Sequence, residues 1–225
     1  MATSRAGTVL PTGTWSVGLG IAALGALLYP VLANTAQEPK AAPRVGQATI
    51  SGTVKAGKRL PPMIVYLEST DPKRKFPLPA KPVLVSQQGA RFSPKYLVIA
   101  VGQTVEFLND EDRAIEHNVF SKSPTKTFDL GLYRPPDSKS VTFDKPGPVR
   151  LFCSIHRYMD GTVYVCPTPF FAHVAKDGRY AISGIPPGEY FIKTWQRRRR
   201  FREQTKRVQL DAGGQLVIDW ELTRK

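Results

Sequence analysis

The sequence predicts an all-β protein, and three observations carry that expectation. Short runs rich in valine, isoleucine, tyrosine and phenylalanine recur along the chain, 20 prolines and 18 glycines punctuate them, and no apolar pattern of helical period follows residue 40. At 225 residues there is room for one large or two small domains, since domains run to roughly 100–150 residues.

Ahead of the strands lies an export leader. Arg5 precedes a stretch from Gly7 to Gln37 without a charged residue, Val17 to Leu28 is compactly apolar, and Val31-Leu32-Ala33 offers a small-residue cleavage site. Residues 1–36 therefore read as a signal peptide or an N-terminal anchor. The anchor reading rests on the 19 uncharged residues from Trp15 to Ala33, about the span of a bilayer. Export, periplasmic or otherwise, removes the nucleic-acid reading that a net charge of +14 would invite. Residues 37–44, with Pro39 and Pro43, form a linker.

Two strands come first, Ala48–Val54 and Met63–Glu68, separated by a turn and the Pro61-Pro62 pair. Residues 69–82 then carry Asp71-Pro72, a Lys73-Arg74-Lys75 cluster and three further prolines, which no regular element tolerates. This is a domain boundary. Closely spaced strand patterns follow from Val83 to Asn109, as in a sandwich. The acidic segment Asp110-Glu111-Asp112 reads as a solvated turn. Ser140–Phe143 and Val149–Cys153 read as a hairpin around Asp144-Lys145-Pro146-Gly147, and Thr162–Val165 closes the unit. From Pro167 onward a second small β unit runs to Leu222.

The chemistry concentrates in Leu151-Phe152-Cys153-Ser154-Ile155-His156-Arg157-Tyr158-Met159, which places a thiolate, an imidazole and a thioether within seven residues. Soft sulfur donors beside imidazole suit copper, and a trigonal His₂Cys set with a weak axial Met describes a blue-copper site. His117, on a separate strand, is the candidate second histidine, while His173 has no donor beside it and reads as a surface or strand residue. Two cysteines in an exported protein also permit a structural Cys153–Cys166 disulfide. That alternative leaves the spacing of His156 and Met159 unexplained.

Residues 82–166 resemble a cupredoxin, a Greek-key β-sandwich. The resemblance lies in Gly102-Gln103-Thr104-Val105-Glu106-Phe107-Leu108-Asn109, in His117-Asn118, and in a C-x-x-H-x-x-M loop whose short form is similar to that of amicyanins. It implies His117, Cys153, His156 and Met159 as ligands of one type 1 copper, with Asn118 hydrogen-bonding toward Ser154 to tie the two ligand segments together. The loop departs from many members in carrying Ile155 in place of proline, and Arg157 at its tip. The flanks resemble the carboxypeptidase regulatory-like, transthyretin-like sandwich, through Asp177-Gly178-Arg179-Tyr180-Ala181-Ile182-Ser183-Gly184-Ile185-Pro186-Pro187-Gly188-Glu189-Tyr190. The two strands that precede this motif in that family correspond to Gly52-Thr53-Val54 and Val65-Tyr66-Leu67. A cupredoxin inserted into a regulatory-like domain built from residues 45–72 and 167–225 is therefore expected. The whole is similar to plastocyanin-like proteins labelled as methylamine-utilisation proteins.

These resemblances imply an exported carrier of single electrons between a donor and an acceptor protein. The alternatives are a copper-holding or assembly module, and a disulfide-stapled structural protein without metal. No catalytic triad, glycine-rich phosphate loop or zinc-protease spacing appears, so no enzyme is expected. The densest charge, Arg197, Arg198, Arg199 and Arg200 with Phe201 and Arg202, reads either as a solvated loop or as a docking surface for an acidic redox partner or an anionic membrane.

Overall fold

The computed structural model describes residues 46–57, 59–80, 82–198 and 200–225. The leader and linker expected over residues 1–44 lie outside these, as does Arg199. Among the described residues every regular element is a strand, and no helix is long and apolar enough to cross a membrane.

In chain order the strands are β1 (Ala48–Ala56), β2 (Met63–Ser69), β3 (Val83–Ser86), β4 (Tyr96–Ala100), β5 (Thr104–Leu108), β6 (Phe120–Ser123), β7 (Lys126–Asp129) and β8 (Ser138–Thr142). They continue with β9 (Gly147–Phe152), β10 (Asp160–Cys166), β11 (Phe171–His173), β12 (Arg179–Ile185), β13 (Gly188–Gln196), β14 (Thr205–Leu210), β15 (Gln215–Val217) and β16 (Trp220–Leu222). Strands β3 to β10 pair only with one another, in a five-stranded sheet β4-β10-β9-β6-β7 and a three-stranded sheet β3-β5-β8. Strands β1 and β2 skip this whole segment. β1 pairs with β12, β15 and β16, and β2 lies between β11 and β13 in the sheet β11-β2-β13-β14.

Side-chain alternation explains how four sheets make two sandwiches, because successive residues of a strand point to opposite faces. In β5, Val105 and Phe107 turn inward while Thr104 and Glu106 do not. They meet Val149, Leu151 and Val163 from the facing sheet in one core. The other core joins Ile50 and Val54 of β1 to Met63, Val65 and Leu67 of β2 and Tyr190 and Ile192 of β13. Gly52 is required there: a Cβ at this position would lie 1.9 Å from the Ile218 carbonyl oxygen, which crosses β1 at that point.

β2 and β10 are apolar on both faces, and the reason is positional. The alternate residues Ile64 and Tyr66 of β2 leave the first core and join Val98, Tyr164, Cys166 and Trp195 in a third cluster, where the outer faces of the two sandwiches meet. Tyr164 stacks on Trp195 with ring centroids 4.1 Å apart and donates its hydroxyl to Tyr66 Oη at 3.0 Å. Each large side chain removed from water at this junction contributes about 1.5–3 kcal/mol.

The expected hairpin of Ser140–Phe143 with Val149–Cys153 does not form. β8 pairs with β5 in one sheet, whereas β9 pairs with β10 and β6 in the other. The Asp144–Pro146 corner carries the chain across the core, so that Val141 and Phe143 share a core with Val149 and Leu151 instead of pairing beside them.

Candidate metal centre

Cys153 is placed by the alternation of β9. Val149, Leu151 and Cys153 are every second residue and all point into the same core, so the thiol arrives inward-facing at the strand end. The chain then turns through Ser154–Tyr158, and the Met159 N–H donates to the His156 carbonyl at 2.9 Å to close the loop.

His117 comes from a separate segment, held by an isolated bridge rather than a strand. Its N–H donates to the Tyr133 carbonyl at 3.1 Å and its carbonyl accepts from the Tyr133 N–H at 2.9 Å. Tyr133 is fixed in turn by its hydroxyl, which donates to the Phe107 carbonyl. Buried Asn109 donates to the carbonyls of Ile115 and Tyr133, both at 2.9 Å. The His117 backbone therefore has little freedom.

These constraints gather three donors. Cys153 Sγ lies 3.9 Å from His117 Nδ1 and 3.8 Å from His156 Nδ1, and the two Nδ1 atoms are 3.1 Å apart. His117 is fully buried, Cys153 is 4 % exposed and His156 is half-buried. Met159, 1 % exposed, belongs to the same apolar cluster as Cys153. Asn118 Oδ1 accepts from the Ser154 N–H at 2.7 Å and from its hydroxyl at 2.9 Å, while Asn118 Nδ2 donates to Asp129. The segment bearing His117 and the loop bearing Cys153 are thus laced together one residue beyond each donor.

Of the acidic segment only Asp112 is solvated as expected. Asp110 accepts from the Ser86 hydroxyl and the Gln87 N–H, and Glu111, with its side chain 7 % exposed, accepts from the Ala90 N–H at 2.7 Å and faces His117 Nε2 at 2.8 Å. Burial pushes the Glu111 carboxyl up, but the hydrogen bonds from His117 and from the Ala90 and Gly89 N–H groups outweigh it and hold the carboxyl below its ordinary value. An ionised carboxylate only accepts, so Nε2 is the donor of this pair, and in a neutral ring the Nδ1 lone pair is then the one that faces Cys153. The signal for this residue in the sequence is a carboxylate six positions before the histidine; the expectation of a solvated turn fails because the Glu111 side chain turns inward.

The Cys153–Cys166 disulfide is overturned. Both cysteines are free and buried. β9 and β10 run antiparallel with Phe152 opposite Asp160, so Cys166 lies six strand positions from the end at which Cys153 emerges. That is about 20 Å at the rise of a strand, far beyond disulfide reach. Cys166 belongs to the cluster between the sandwiches, where burial pushes its thiol well up.

His173 ends β11, exposed and edge-on to Tyr96, away from the donors above. The arginine run is divided. Arg197 is ion-paired to Asp160 and donates to Thr162 Oγ1 at 2.9 Å, Phe201 is buried, and Arg198, Arg200 and Arg202 are exposed.

The three donors fit a first-row ion. With bonds of about 2.0–2.1 Å to nitrogen and about 2.3 Å to sulfur, trigonal angles put nitrogens about 3.5 Å apart and nitrogen and sulfur about 3.8 Å apart. The observed nitrogen–sulfur separations, 3.8 and 3.9 Å, match this, and the nitrogen–nitrogen separation, 3.1 Å, is shorter than the expected value. One thiolate with two imidazoles is a set that favours copper over the hard cations, which prefer oxygen.

No protein-family model matches the sequence, and no curated protein does. Among solved structures, a purple cupredoxin from Nitrosopumilus maritimus is 25% identical, covering 37% of this chain and 98% of its own, with a TM-score of 0.33. The copper-containing nitrite reductase of Thermus scotoductus SA-01 is 31% identical over 39% of this chain and 23% of its own, with a TM-score of 0.36. An amicyanin variant in its oxidized state is 23% identical over 37% of this chain and 81% of its own, with a TM-score of 0.34.

Proposed function

We propose that this protein is an exported type 1 copper protein that carries single electrons between redox partners, with His117, Cys153, His156 and Met159 as its ligands. The observation that carries the reading is the convergence of Cys153 Sγ with the two histidine Nδ1 atoms inside a mostly apolar cluster. Copper bound there would supply one-electron exchange between Cu(II) and Cu(I).

The residues of the chain account for the rest. Glu111 fixes the His117 ring, Asn118 fixes the loop, and the fully buried His117 excludes water on one side. A site held this firmly keeps its shape when its charge changes. His156 is the only one of the four proposed ligands that reaches the surface, and electrons would pass through its ring. Among the described residues, four of the seven exposed large apolar side chains, Ile115, Leu132, Ile155 and Tyr158, lie within two positions of His117, Tyr133 or His156 in sequence. In this reading they offer apolar contact to a partner, and exposed Arg113 and Arg157 favour one with acidic groups. With three strong donors and a buried thioether, substrate has no open position, so we read a carrier and not an enzyme.

In the same reading, residues 82–166 are a cupredoxin domain inserted into a regulatory-like sandwich of residues 45–72 and 167–225. The pairing of β1 and β2 with strands from Phe171 onward supports it. The test is copper titration followed by voltammetry. One equivalent of Cu(II) should give an intense blue band and a reversible one-electron wave. A protein that binds copper without a reversible wave would instead be the copper-holding module.

A further inference from the structure

Arg197, Arg198 and Arg200, which follow β13, line a cleft. The Arg200 N–H donates to Gln196 Oε1 at 3.1 Å, Gln196 Nε2 donates to the Phe201 carbonyl at 3.1 Å, and Phe201 is buried and bridged to Arg224. Arg197 is anchored by Asp160 and Thr162. Between these anchors Arg198 and Arg200 face the segment Arg59–Pro62 and the residues around Lys176 across a cleft of about 660 Å³. Leu60, Pro61, Pro62 and Val174 supply its apolar lining, and Arg59, Lys176, Arg197, Arg198 and Arg200 its charge. Among the described residues no acidic one lines it. Among the described residues Arg59, Lys176, Arg198 and Arg200 make no ion pair. Arg197 and Arg198 also line a second cavity of about 660 Å³, where Lys95 and Arg150 add charge and Asp160, the one acid among the described lining residues, is already engaged by Lys95 and Arg197.

We infer that this cleft is a binding site for a soluble phosphate-bearing anion of two or more charges. Four cations without an ion pair, Arg59, Lys176, Arg198 and Arg200, repel one another around one concavity, a cost that an anion between them reduces. Guanidinium forks match phosphate oxygens in bidentate fashion, and pinning the turn beforehand lowers the entropy lost on binding. The volume is that of a small-ligand site, and its walls are concave, so a flat bilayer would reach only the rim. The site is independent of the metal centre and of any reading of it.

The experiment is calorimetric titration of the 225-residue chain with inorganic tripolyphosphate in phosphate-free buffer at low salt. One saturable site is expected, weakened about tenfold or more in an Arg198→Gln/Arg200→Gln variant. An Arg91→Gln/Lys122→Gln variant, which loses the same net charge at exposed positions elsewhere, should bind within about twofold of the parent. Arg59→Gln, on the opposite wall, repeats the test should the double variant fail to fold. Absence of saturable heat, or equal weakening in both double variants, would overturn the site. So would arginine-dependent sedimentation with phosphatidylglycerol vesicles by a chain that ignores tripolyphosphate, since that would assign the charge to a membrane surface.

Discussion

Cys153 and Cys166 close adjacent strands of one sheet, yet they occupy opposite ends and opposite faces of it. Around Cys153 two imidazole nitrogens approach within 3.9 Å, one of them backed by a carboxylate. Cys166 instead packs with Ile64, Val98, Tyr66, Tyr164 and Trp195, and burial makes its thiol a small buried hydrophobe. Identical side chains thus serve unlike ends: one end of the middle sandwich is organised for chemistry, the other for adhesion to the flanking sandwich. Neighbours, not residue type, set the role.

The largest expected effect separates the two ends outright. Cys153→Ser should cost more in copper affinity than the about 10–100-fold expected for loss of a merely supporting group, and should abolish the blue band, with little change in the unfolding midpoint of the metal-free protein. Trp195→Ala should do the reverse. Removing the ring stacked on Tyr164 should destabilise the fold by about 3–5 kcal/mol in denaturant titrations, while copper stoichiometry stays at one. Loss of copper binding in that variant would show that the two ends are coupled.

Smaller effects refine the comparison. Glu111→Gln keeps a hydrogen-bond acceptor beside His117 but removes the charge, and should weaken copper binding by about 10–100-fold in competition titrations. A change of less than about twofold would reduce Glu111 to a turn residue. Cys166→Ala should cost about 1 kcal/mol at neutral pH, with a pH dependence of fixed sign. The folded thiol is raised well above 9.0, so near that pH the unfolded chain ionises first. The contribution of Cys166 is therefore complete below the unfolded pKa and declines as pH rises through it. Parent and variant should converge in stability between about pH 8 and 10.

Much of the candidate site was legible because its residues are local: Cys153 and His156 lie in one loop with Met159, and a trigonal set called for a histidine from another segment. Glu111 was not legible. Flanked by Asp110 and Asp112 it has the look of a solvated turn, and only the approach of Ala90 and His117 reverses that. For the fold, alternation identified the strands but not their sheets. β8 and β9 carry the same inward pattern whether they pair or face one another across the core, so the corner at Asp144–Pro146 passed for a hairpin turn. The all-apolar faces of β2 and β10 needed a second sandwich to explain them, and the Arg197–Asp160 pair joins residues 37 positions apart that no local pattern connects.

The most direct test titrates the parent, Cys153→Ser and Cys166→Ser side by side with Cu(II), read by visible absorption and electron paramagnetic resonance. An intense blue band and narrow copper hyperfine splitting are expected in the parent and in Cys166→Ser, and neither signature in Cys153→Ser. Identical spectra from the two serine variants, or a parent that remains colourless with bound copper, would contradict this expectation.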